Sequence, residues 1–405
     1  MNEEQMELLV ETIMRKIEKA NLYFLKEIGK DIKMLKSLTK DKAHELEQIL
    51  LYGGRYEEII KKLSDITNLN EKEINDIFLS YAKQDQKFYK NFYSYKNKPF
   101  VPITKNPILL NQTLSLAKAT RNQYLNFTYP KLLGYSIRDE NNKLKFLGLK
   151  ETYEKILNEA ILNSGQGKQT FDESIEKILK NIGGSGLKTI DYESGKSIRL
   201  DSVIRQHLMG ALRELHNANE EIIGNEIDFD GYEISVHEFP ADDHAEAQGR
   251  QFTIEQYINL QNDGICKDVT GKTIDLHKDD KSATFRPISR HNCYHVAYSI
   301  IIGVNEPQYS EKELNDIIER NEKGIEYENK KYTMYEATQK QRQIEREIRK
   351  NKDLLELGQA SDNKLLIEES ESNITILVDK YRKFCNISGL PPKLNRLKLQ
   401  IKKKR

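Results

Sequence analysis

Residues 285–301 read FRPISRHNCYHVAYSII. If this stretch is a strand, side chains alternate between faces, and His291, Cys293 and His295 share one of them. The apolar run from Val296 to Ile302 gives that strand a reason to be buried. Two imidazoles and a thiol on one face suit a metal site, a catalytic site or an ordinary half-buried edge. Upstream, YEISVHEF (232–239) alternates Tyr232, Ile234 and Val236 with Glu233, Ser235 and His237, the period of a half-buried strand. The polar turn PADDHAEAQGRQF (240–252) follows, carrying His244, and then a short helix and a glycine-containing loop around Cys266. Five of the eight histidines and two of the three cysteines fall between residues 237 and 295, which marks this region off from its flanks.

The flanks are helical in pattern. Ile13, Ile17, Ala20, Phe24, Ile28, Ile32 and Leu35 recur at spacings of three and four, predicting one long helix or two consecutive ones over 3–40. Gly53-Gly54 interrupts, and RYEEIIKKLSDIT and NEKEINDIFLSYAKQD continue as helices. KFYKNFYSYKNKPFVP (87–102) interleaves aromatic and basic residues. Such a stretch can stack on single-stranded nucleic acid, but with no binding-fold signature beside it the aromatics read as docking one helix layer onto the next. A helix over 108–126 precedes NFTYPKLLGYS, which reads as an irregular connection. Thr170 and Glu173 form a capping-box pattern opening FDESIEKILKNI, with Gly183-Gly184 as its stop. LKTIDYESGKSIRLDS reads as a hairpin or structured loop, and a helix runs from Ser202 to Gly224. Beyond the histidine-rich region, Ser310 and Glu313 predict a capped helix, IEYENKKYT a small hairpin turning at Asn329, and Thr333 and Glu336 the cap of a long charged helix. On that helix Glu345 and Arg349 are spaced as an i,i+4 pair of a solvated face.

The expected fold is α+β. A helix-rich region over about 1–185 would serve docking or oligomerisation. A small mixed α/β domain over 186–305 would hold the His/Cys cluster, and a helical extension over 306–405 would end in a basic tail.

Bulk properties narrow the function classes. A length of 405 residues suggests two or three domains. With 38% hydrophobic residues, 31% charged residues, no Trp and a mean hydropathy of −0.71, the chain is polar and suits a helix-rich protein with much solvated surface. Its 64 basic and 63 acidic residues nearly cancel, unlike the global positive field of a nucleic-acid coat. Three scattered cysteines make no disulfide framework and point to a reducing compartment. The N-terminus lacks a basic signal-peptide region, and no apolar run approaches the roughly 20 residues that span a bilayer. A soluble protein made in the cytoplasm is expected.

Among chemistries, a zinc site needs four N, S or O ligands, commonly with two from one close pair. His291, Cys293 and His295 can supply two, and His244 or His237 the rest. The metal candidates are therefore His244, His291, Cys293 and His295. Only one tight cluster is present where strong zinc signatures show two, so the leading expectation is hydrogen-bonded structural histidines and no cofactor, with a structural zinc as the alternative. Asp243-His244 followed by Asn292 and His295 loosely suggests a metal-dependent HNH-type nuclease. Against it, 47 residues separate His244 from Asn292 with no compact strand–helix unit between them. IGGSGLK lacks the ending of a phosphate-binding P-loop, and no spacing singles out a nucleophile.

Several stretches in a fixed order resemble the phage minor capsid protein 2 family, within the broader phage head morphogenesis (Mu F-like) group. They are DYESGKSIRLDSVIRQHLMGALRELHNANEEI, EISVHEFPADDHAEAQGRQF, SRHNCYHVAYSIIIGVNEPQYSEKEL, IEYENKKYTMYEATQKQRQIEREIRKNK and YRKFCNISGLPPKLNRLK, covering most of residues 186–397. Two places depart from the family pattern. Asp242-Asp243 precedes His244 in place of a proline-containing turn, with Ala247 where Trp is usual, and Tyr294 replaces an Arg after Cys293. The resemblance implies a structural, non-enzymatic minor head protein, present in few copies near the portal and aiding procapsid assembly and genome entry. It implies a place in the virion, assembled in the host cytoplasm, with the portal protein and a major capsid or scaffold protein as partners and no membrane. The tail KLQIKKKR, with five Lys or Arg in eight residues, adds an expected non-specific contact with DNA.

Overall fold

The computed structural model describes residues 3–139, 141–165, 167–191, 194–277, 285–289, 293 and 295–397. The first apolar stripe forms one helix, α1 (Glu3–Lys36), followed by α2 (Lys40–Tyr52), α3 (Arg55–Thr67), α4 (Glu71–Phe88) and the short α5 (Lys90–Tyr95). Gly53 ends α2, and Gly54 takes φ +89°, a left-handed turn that a residue with a Cβ enters at a cost, so α3 starts in a new direction. Asn70 and Glu73 close a reciprocal capping box at the start of α4. Next come α6 (Pro107–Phe127), strands β1 (Leu133–Arg138) and β2 (Leu144–Gly148), then α7 (Leu149–Leu162) and α8 (Lys168–Ser185). The hairpin of β3 (Lys188–Ile190) and β4 (Ser197–Arg199) leads to the long α9 (Leu200–Ile227).

The histidine-rich region comprises β5 (Gly231–Ile234), β6 (Gln251–Thr253), α10 (Ile254–Asp263), β7 (Ile265–Lys267), β8 (Thr273–Asp275) and β9 (Ala297–Ile300). The chain continues through α11 (Glu311–Lys323), the β10 (Ile325–Tyr327) and β11 (Lys330–Tyr332) hairpin, α12 (Met334–Ser361), α13 (Lys364–Ser388) and the short α14 (Leu394–Leu397). Two of the three predicted caps are present: Ser310 with Glu313, and Thr333 with Glu336. Helices joined to small antiparallel sheets make this an α+β protein.

Two compact units form, each from three separate stretches. Unit 1 takes residues 1–11, 70–122 and 206–339; unit 2 takes residues 12–69, 123–205 and 340–405.

In unit 2 the stripe from Ile13 to Leu35 is buried, and the Phe24 ring stacks on Tyr135 with centroids 5.6 Å apart. Its sheet has the order β2-β1-β3-β4, all antiparallel. In unit 1 the sheet order is β6-β5-β9, with β5 central. Ile234, Phe252, Leu260, Ile274, Leu276, Ile288, Cys293 and Ala297 form the core beneath it. The aromatic-basic stretch is packing material in unit 1. Tyr89 is fully buried against Phe229, Phe92 meets the same ring edge-on, and Phe88 lies 5.2 Å from Tyr298.

Five local expectations are corrected. The strand predicted from His291 begins only at Ala297, and Cys293 and His295 lie in non-regular chain before it. His291 itself lies outside the described residues, as do Asn292 and the basic tail. NFTYPKLLGYS is not wholly irregular, because Leu133–Arg138 is an inner strand, in which Leu133, Tyr135 and Ile137 alternate with Gly134, Ser136 and Arg138. Thr170 does not cap α8, which starts at Lys168 after Gly167. Gly183-Gly184 does not stop it either. A Cβ on Gly183 would stand 2.7 Å from Leu354 Cδ2, so the glycine permits close approach of α12, and the helix ends at Gly186 with φ +65°. Finally, Glu345 is buried and accepts from the Tyr381 hydroxyl at 2.9 Å, so this part of α12 is an inner face and not a solvated one.

Candidate functional site

The loop between β5 and β6 brings His237 and His244 to the segment that enters β9, all within unit 1. β5 pairs with β9 from Gly231↔Ile300 to Ile234↔Ala297, and the Ser235 N–H extends the pairing to the Val296 carbonyl at 2.8 Å. On the far side, α9 fixes the incoming chain. The Arg213 guanidinium donates to the Cys293 carbonyl, and Asn217 Nδ2 donates to the Ser289 carbonyl at 3.1 Å. Arg286 grips Asp243 with two hydrogen bonds of 2.9 and 2.7 Å, which sets His244 beside the Arg286 backbone.

Three side chains converge there. Cys293 Sγ lies 3.3 Å from His244 Nδ1 and 3.6 Å from His295 Nδ1. Exposure is 1% for His244, 1% for Cys293 and 4% for His295. The far nitrogens settle the tautomers. His244 Nε2 lies 2.6 Å from the Arg286 carbonyl, which can only accept, so Nε2 carries the hydrogen. His295 Nε2 lies 3.4 Å from Gln248 Oε1, and the His237 backbone N–H donates to that same oxygen at 2.9 Å, which fixes the amide orientation. Both imidazoles therefore hold hydrogen on Nε2 and direct an Nδ1 lone pair toward the sulfur. Burial lowers the pKa of His244 and takes that of His295 well below its usual range, while burial raises that of Cys293. All three are neutral near pH 7.

The sequence-derived candidates His244, Cys293 and His295 thus meet. His237 joins them, its ring centroid 4.5 Å from that of His295. Gln248 was not among the candidates; its sequence signal is its place four residues after His244, within one of the stretches that carry the family resemblance. The nuclease reading gains no support among the described residues. His244 is buried, with Nε2 on a carbonyl and Nδ1 on sulfur, so it has no lone pair facing water to act as base.

A second buried cluster went unread in the sequence. His216 on α9 lies 2.8 Å through Nδ1 from Asp85 Oδ1 on α4 and 3.2 Å through Nε2 from the Ala297 carbonyl. Glu220, one turn along α9, places Oε1 3.7 Å from Nε2 and accepts from the Ser299 N–H at 2.8 Å. With an acceptor at each ring nitrogen, His216 is an imidazolium. Burial opposes that charge, but Asp85 and Glu220 outweigh it and raise His216 to about 9. Both of its nitrogens are thereby closed to a metal.

Among the described residues no helix is long and apolar enough to cross a membrane. No curated protein and no solved structure matches the chain. One family does: that described as phage minor capsid protein 2 matches residues 1–386, nearly the full length. The chain therefore belongs to the phage minor capsid protein 2 family and is a component of the virion.

Proposed function

We propose that this minor capsid protein acts close to the portal, in few copies, and helps the procapsid assemble and the genome enter. The observation that carries this reading is the family match over residues 1–386, together with the ordered motifs between 186 and 397. A capsid family works through contacts with other head proteins. We assign those contacts to the portal protein and to a major capsid or scaffold protein, with the helices of residues 1–185 as the docking part.

Purified procapsids and finished heads, probed with an antibody to this chain, should both contain it at a small fraction of the major capsid copy number. Cross-linking in intact heads should yield adducts with the portal protein. Absence of the chain from both particles would overturn the proposal, and cross-links confined to the capsid shell would remove the portal placement.

The tail of residues 398–405 is the segment we assign to DNA, since five of its eight residues are Lys or Arg. Retention of duplex DNA should be weak, independent of sequence and steeply reduced between about 50 and 200 mM salt, because phosphate contacts release counterions. Deleting the eight residues should abolish retention and leave the circular dichroism spectrum unchanged. Undiminished retention would eliminate the tail as the contact.

A further inference from the structure

We propose that His244 Nδ1, Cys293 Sγ and His295 Nδ1 hold one zinc ion that ties the β5–β6 loop to the segment entering β9. The three ligand atoms lie within 4.8 Å of one another. Zinc–sulfur and zinc–nitrogen bonds at a tetrahedral angle put sulfur and nitrogen about 3.6 Å apart. The two sulfur–nitrogen distances here are 3.3 and 3.6 Å.

Hydrogen-bond accounting points the same way. Sγ already accepts from the Ser289 N–H at 3.3 Å, and a thiol has one hydrogen to give. Two Nδ1 lone pairs face it, so without a cation one buried acceptor has no donor from this thiol. A zinc ion uses both lone pairs and the thiolate together. The outer contacts fit as well. Metal-bound histidines commonly donate their other N–H to a carbonyl or carboxylate, and His244 and His295 give theirs to the Arg286 carbonyl and the Gln248 amide oxygen. One thiolate and two imidazoles suit zinc better than the oxygen-seeking magnesium or calcium. The fourth position falls to solvent or to His237, which stands against His295.

The test is metal analysis of the untagged full chain, purified without chelator. Near one zinc per chain is expected. After chelator treatment, titration with cobalt(II) should produce a thiolate-to-metal charge-transfer band that saturates at one equivalent. Cys293→Ser should lose the band, and His244→Ala should lose stoichiometric zinc. Gln248→Ala keeps every ligand but removes the outer contact to His295, so it should weaken affinity by about 10–100-fold with the band retained. The cobalt titration uses the unsubstituted protein, so it remains decisive even where a ligand variant fails to fold. Metal well below stoichiometry together with no cobalt–thiolate band overturns the site. So does stoichiometric metal that persists in Cys293→Ser.

Discussion

Replacing Asp85 by Ala is expected to destabilise the protein by about 3–5 kcal/mol, because it strips the charge partner from a fully buried imidazolium. His216 and Asp85 are 2.8 Å apart and each is about 1% exposed at the side chain. Removing the carboxylate leaves His216 either charged with only Glu220, 3.7 Å away, to balance it, or neutral with Nδ1 facing no partner. The same pair sets a pH signature. The folded pKa of about 9 lies above the 6.5 of an ordinary histidine, so the fold binds this proton more tightly than the unfolded chain does. Its stabilising effect is complete below pH 6.5 and is lost as pH rises through about 9. Glu220, raised mainly by burial, acts in the same direction. Urea unfolding at pH 7 and at pH 10 reads both effects. An Asp85→Ala midpoint equal to that of the parent at pH 7, or a parent curve unchanged at pH 10, would refute the imidazolium.

Lys36→Met should have a loss of similar size in unit 2, again about 3–5 kcal/mol. Lys36 Nζ lies 2.7 Å from Asp172 Oδ1 and 2.9 Å from Oδ2, and donates to the Asp362 carbonyl at 2.7 Å. Both residues are about 95% buried, with 5% exposure for Lys36 and 4% for Asp172. Methionine fills much of the stem's volume but leaves the carboxylate without its cation. The double variant Lys36→Met/Asp172→Leu removes both charges and should recover most of the stability, since a buried pair replaced whole by apolar groups is often neutral. A double variant no more stable than Lys36→Met would show that packing, and not charge, sets the loss.

What could be read from the sequence was local. The caps at Ser310 and Thr333 and the hairpin turn at Asn329 each draw on residues within a few positions, and each formed as expected. β1 escaped because Pro130 and Gly134 punctuate the segment as a loop would, although Leu133, Tyr135 and Ile137 carry a strand's alternation. Gly183 misled because a glycine that ends a helix and one that lets another helix approach look alike in one dimension. The candidate site divides along the same line. His244, Cys293 and His295 stood out by clustering of residue types, but which nitrogen carries hydrogen depends on the Arg286 and Gln248 oxygens, which only the fold brings near. Asp85 and His216 are separated by 131 positions, and nothing local connects them.

The threading of the units governs the order in which they can be completed during synthesis. All the stretches of unit 1 have been made once residue 339 has left the ribosome. Unit 2 draws its last stretch from residues 340–405, which carry the Asp362 carbonyl that receives Lys36 and the Asn363 amide that reaches the Asp172 carbonyl at 3.2 Å. The apolar stripe of α1 therefore waits for the last helices of its unit until residues 340–405 have been made. Apolar surface left open for that interval invites association between nascent chains. Slow elongation over residues 206–339 prolongs the exposure of unit 2, whereas rapid elongation there shortens it.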